Sequence, residues 1–198
     1  MKRDQSTTIL IFLFFSIATM LSCNVFAKKP GPPPTYVIGD TGPGGGIIFH
    51  VSNDGSHGLE AAQKDQAIGT PFPWDDGSGS DGSGSIRTNA AKSGINDGSF
   101  NTDRIISRIG FHANAAIICS NYNGGGYGDW YLPSRYELNL MYINLHQHGL
   151  GSFAEVGYWS STEHSLFKEQ AEAQLFKNGV QFGDDKSAGN NIRAIRAF

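Results

Sequence analysis

Cysteine is almost missing from this chain. Its 198 residues include two, Cys23 and Cys119. Small exported domains that depend on disulfides for stability are cysteine-dense, so that class is excluded. Charge is also sparse, at 17% of residues with a formal net of −3. A mildly acidic balance argues against nucleic acid as a partner and against polyanion binding driven by net charge. The apolar run at residues 9–21 is shorter than the ~20 residues that a membrane-spanning helix needs. Catalytic signatures are missing too: there is no Gly-x-Ser-x-Gly elbow and no His-Glu-x-x-His pair. The glycine-dense Gly42-Pro43-Gly44-Gly45-Gly46 lacks the Lys-Ser/Thr and helix of a phosphate loop, and is followed by the strand-like Ile47-Ile48-Phe49-His50-Val51. It reads as a tight loop that lets backbone approach closely. No catalytic residue is assigned, and the chain is expected not to be an enzyme.

What is abundant is glycine, 26 residues against a usual share of about 7%. Together with 12% aromatics, this predicts a loop-rich α+β domain resting on a few large rings, not a helical bundle. The length suits one domain of ordinary size. At the N-terminus, Lys2 and Arg3 precede the apolar run, and Val25-Phe26-Ala27 offers a small-x-small cleavage site. Residues 1–27 are therefore expected to be a signal peptide, and the protein to be secreted or at the cell surface. In the alternative, Met20-Leu21-Ser22-Cys23 is a lipobox and lipidation of Cys23 makes a lipoprotein held at a membrane. In either case Cys119, set in Ala115-Ala116-Ile117-Ile118, has no partner in the chain and is expected to be a buried thiol. Residues 28–35 form a Pro-rich tether.

Three further stretches invite chemistry. Phe72-Pro73-Trp74-Asp75-Asp76 runs into a Gly/Ser loop through Asp81 to Ser85. Asp75, Asp76 and Asp81 supply oxygens for Ca²⁺, although no Glu stands at the twelfth position of an EF-hand template. His112, His146 and His148 are potential zinc ligands, but a site needs three or four that converge. The third stretch is Gly126-Tyr127-Gly128-Asp129-Trp130-Tyr131-Leu132-Pro133-Ser134-Arg135-Tyr136-Glu137-Leu138. Pro133 interrupts regular structure. Ser134 and Glu137 have the spacing of a capping box. Leu138, Met141, Tyr142 and Leu145 then form one apolar helix face. An earlier helix is expected over 102–122, capped by Asn101 or Thr102, with Ile105, Ile106, Ile109, Ala113, Ala116 and Ile117 inward. Strands are expected at 59–62, 158–162, 171–176 and 192–198, with a turn at Asn178-Gly179. Trp130, Leu132, Trp159, Phe176, Ile195 and Phe198 should be core.

Asp129-Trp130-Tyr131-Leu132-Pro133-Ser134 with Glu137-Leu138 resembles the hallmark of the Lcl C-terminal domain family. Tyr36-Val37-Ile38-Gly39-Asp40-Thr41-Gly42-Pro43-Gly44-Gly45-Gly46 and Tyr158-Trp159-Ser160-Ser161-Thr162-Glu163 resemble two more of its blocks. The likeness spans 36–198. It implies a bacterial, extracytoplasmic, C-type-lectin-like fold with small, mostly antiparallel sheets, two helices and long loops. It further implies that the loops at 75–85, 149–157 and 184–191 carry recognition. A cysteine in the last strand often pairs with one near Cys119 in such relatives; Ala194 stands there in this chain. The calcium-dependent sugar motifs Glu-Pro-Asn, Gln-Pro-Asp and Trp-Asn-Asp are absent, as are the cysteines of formylglycine-generating relatives. A member of the family with a collagen-like stalk binds sulfated glycosaminoglycans. That implies an adhesin whose ligand is an extracellular glycan or sulfated polysaccharide, with Arg135, Lys177, Lys186, Arg193 and Arg196 as the basic candidates. A structural envelope domain with a protein partner is the alternative. This chain lacks the stalk that would make a trimer, so a homotrimer would have to form through the domain itself.

Overall fold

Three extended segments feed two cores at once, because successive strand residues point to opposite faces. Trp130 and Leu132 enter one core, and Tyr131 between them enters the other. Trp159 and Tyr158 divide the same way, as do Ala194 and Ile195. The computed structural model in which this is seen describes residues 35–66, 71–75, 77, 85–110 and 112–198. The expected signal peptide, all of the expected tether except Thr35, and Asp76 and Asp81 lie outside the described residues.

The protein is α+β. Strand β1 (Ile47–Val51) pairs antiparallel with β2 (Gly58–Ala61), and β2 pairs with β8 (Ile195–Ala197). A second ladder joins β3 (Phe72–Pro73) to β7 (Gly189–Asn190). The third sheet runs β4 (Gly157–Glu163), β5 (Gln170–Leu175), β6 (Gln181–Asp185). The far side of β8 is closed by Tyr131, whose N–H and C=O exchange hydrogen bonds with Ile195 at 2.8 and 2.9 Å. The expected final strand is therefore flanked on both sides, although only its last part is a regular strand. Phe198 is half-buried, not core. The other five expected core residues are buried.

The expected helix over 102–122 is two helices, α1 (Asp97–Ile109) and α2 (Ala115–Ser120). Gly110, at φ 88°, ends α1, and Asn114 caps α2 by accepting from Ile117 N–H at 2.9 Å. Ala113, on the expected apolar face, lies exposed in the break. The start also differs. Asn101 and Thr102 are buried inside α1, and the helix begins after Asn96, whose side chain makes no cap. The cap comes from elsewhere in the chain: Glu137 accepts from the N–H groups of Asn96 and Gly98 at 2.8 and 3.2 Å. A Cβ on Gly98 would collide with that carboxylate and with Leu132 O, so this approach requires glycine.

Helix α3 (Arg135–Asn144) has the expected capping box, with Glu137 N–H donating to Ser134 Oγ and Ser134 N–H to Glu137. Leu138, Met141 and Leu145 are buried on its inner face. The expected polar loop at 184–191 is instead the end of β6, a turn and β7. No described helix is long and apolar enough to cross a membrane.

Candidate functional site

The glycine-rich loop at 42–46 wraps a carboxylate. Glu60, on β2, is fully buried and accepts from Gly44 N–H at 2.8 and 3.1 Å and from Gly46 N–H at 2.9 Å. Arg196, its register partner on β8, donates to the same carboxylate at 3.0 Å. Close approach is thus what the glycines supply, here to a side chain of the protein itself. Arg196 also donates to Asp129 and stacks 3.7 Å over the Tyr127 ring. Asp129 therefore pairs with the last strand.

Beside this loop is a half-open cleft of about 430 Å³. Gly44 and Gly45 form one wall, Tyr122 and Gly125 another, and Gln63, Lys64, Asp65 and Gln66 the floor and rim. Tyr122 follows α2, and its ring meets Trp130 edge-on at 4.9 Å. Trp130 Nε1 donates to Gly124 O at 3.1 Å, which fixes the turn carrying Gly125. Gln63 Nε2 donates to Gly45 O at 2.8 Å and binds rim to loop. Asp65 is saturated by Arg193 at 2.6 Å and by Tyr158 and Asn191 at 2.9 Å. Lys64, by contrast, is exposed. The cleft thus presents an aromatic ring, the side-chain oxygen of Gln63 and the Lys64 ammonium, while the Gln66 carboxamide, Gly44 N–H and Gly45 O are bonded within the protein. A ring beside such polar groups can pack on an apolar face and hydrogen-bond hydroxyls.

The basic candidates do not converge on a surface. Lys186 is fully buried and donates to Glu163 at 2.6 Å. Arg193 is buried against Asp65, the Ala62 and Gly151 carbonyls and the Phe153 ring. Arg196 is held as described above. Burial in internal pairs removes these three from any contact with sulfate. Arg135 is exposed, with Nε bonded to Gln181 at 3.0 Å and 3.6 Å from Glu172. Lys177 is exposed in the β5–β6 turn. The two do not adjoin the cleft.

Of the calcium candidates, Asp75 is buried at the end of β3, facing away from bulk solvent. Among the described residues, no three His, Cys, Asp or Glu side chains converge as metal ligands. His146 sits within the Tyr142, Phe153 and Phe176 rings, while His148 and His112 are exposed. A smaller pocket of about 300 Å³ holds His50, His57 and Phe198; partial burial lowers the pKa of His50. Burial pushes the Cys119 thiol well up, which leaves it unreactive as a nucleophile.

Sequence reasoning singled out the glycine loop but not Tyr122, Gln63 or Lys64, which carry no motif of their own. Only the packing of α2 against the loop brings them together. No family model matches the chain, and no curated protein matches it.

Proposed function

We propose that this domain is a non-catalytic recognition module of C-type-lectin-like fold, working outside the cytoplasm and taking a glycan in the Tyr122 cleft. The observation that carries this reading is the composition of the cleft: the Tyr122 ring for the apolar face of a sugar, and the Gln63 side-chain oxygen and Lys64 ammonium for its hydroxyls. The small antiparallel sheets and the closed final strand support the fold reading, as do the sequence blocks that resemble the Lcl C-terminal domain family. The N-terminal leader pattern supports export. With three of the five basic candidates buried, a neutral or weakly acidic glycan suits the surface better than a sulfated one.

A glycan array probed with the processed chain, in calcium and in chelator, tests this. The expected outcome is calcium-independent binding that weakens about tenfold, ~1.4 kcal/mol, in Lys64→Ala, an exposed change that leaves the core alone. Silence on every glycan ends the glycan reading. The second reading, a structural envelope or lipoprotein domain with a protein partner, then stands. It is favoured by Leu166 and Phe167, which are 77% and 54% exposed in the β4–β5 turn.

A further inference from the structure

Among the described residues, one buried side-chain atom lacks a hydrogen-bond partner: Oδ2 of Asp75. Its other oxygen accepts from Gly77 N–H at 3.1 Å. Asp75 follows β3 and Lys186 follows β6, and Asp75 N–H donates to Lys186 O at 3.1 Å, so the two residues are held side by side. The Lys186 side chain is fully buried. Its Nζ donates to Glu163 Oε1 at 2.6 Å and Ile86 O at 2.8 Å, and lies 4.6 Å from the Trp74 ring centre. Glu163 also accepts from the N–H groups of Thr88 and Asn89 at 2.8 and 2.9 Å, so its position is fixed. An amine and the Glu163 carboxylate therefore sit in contact under the indole, and the Asp75 carboxyl with its idle oxygen lies beside them, more than 4.0 Å from Lys186 Nζ but near enough for its charge to act on the amine.

We propose that Lys186 and Asp75 become joined by an intramolecular isopeptide bond, with Glu163 carrying the protons. The neutral amine releases the Ile86 carbonyl, swings across to Asp75 and attacks its Cγ, which is present as the carboxylic acid. Glu163 takes a proton from the nitrogen as the C–N bond forms. It returns that proton to the departing Asp75 oxygen, the Cγ–O bond breaks, and one water leaves. The sum is amine plus carboxylic acid giving amide plus water, with no oxidant, reductant or cofactor. Burial favours the neutral amine, because desolvation lowers the pKa of Lys186. Exclusion of water also withholds the reactant for hydrolysis. The bond would fasten the end of β3 to the end of β6, independently of any ligand in the cleft.

Mass spectrometry of the purified, processed chain tests this. The intact mass should fall short of the sequence mass by one water. A tryptic digest should contain residues 65–87 covalently joined to residues 178–193, with no cleavage after Lys186. Asp75→Asn should give a product of the same mass as the natural chain, because ammonia leaves in place of water. Asp75→Ala keeps the Lys186–Glu163 pair and should show the full sequence mass. A folded natural chain at full sequence mass, cut freely after Lys186, overturns the proposal. So does a linkage that survives in Asp75→Ala.

Discussion

Glu60 ties the glycine loop to the last strand. Its carboxylate fixes the glycine loop on one side and balances Arg196 on the other, with all of the donors in the protein. Removing one partner of a buried pair strands the other charge, at a cost of ~3–5 kcal/mol. Glu60→Ala should therefore destabilise by about that amount in urea denaturation. It should also loosen the cleft, because Gly44 and Gly45 form its wall. An unchanged midpoint would mean that Asp129 alone suffices for Arg196. Arg196 stood among the ligand candidates because the sulfated ligand implied by the family resemblance needs basic residues, of which the chain has few. Its cross-strand partner lies far along the chain, so the pairing depends on register, and register is set by the whole sheet.

At the scale of elements, Glu137 serves two helices. It completes the capping box of α3, and it accepts the first N–H groups of α1. Ser134→Ala removes the side-chain cap of α3, together with the Ser134 Oγ bond to Gly94 O, and should cost ~1–2 kcal/mol. Glu137→Ala uncaps both starts and should cost distinctly more, again by urea midpoint. Equal losses would show that α1 does not depend on the remote carboxylate. This contrast also explains what was legible. The α3 cap lies within four consecutive residues, so spacing alone revealed it. The α1 cap crosses from another element, so local rules placed the start at Asn101 or Thr102, which are in fact buried polar residues inside the helix. Gly110 stands inside the expected helix over 102–122, and the pattern alone does not show that it ends one. A glycine within a helix pattern is tolerated or terminal according to what packs around it.

For the whole molecule, charge distribution matters more than net charge. The formal total is −3, and Lys186, Arg193 and Arg196 are used internally. The processed chain should therefore pass through a heparin column at physiological salt without retention. Salt-dependent retention would point to exposed cations such as Arg135 and Lys177 acting together, and would revive a sulfated ligand.

The α+β class, the strand at 47–51, the α3 cap, the buried thiol and most of the large core rings were readable in the sequence. Each of these follows from short-range period, capping chemistry or side-chain size. Only the tertiary structure decided that the glycine loop closes on Glu60, that three arginine and lysine candidates are interior, and that Tyr122, Gln63 and Lys64 meet in one cleft. Those outcomes depend on which strands pair and in what register. Free energy of that kind is shared among residues far apart in the chain and leaves no local pattern to read.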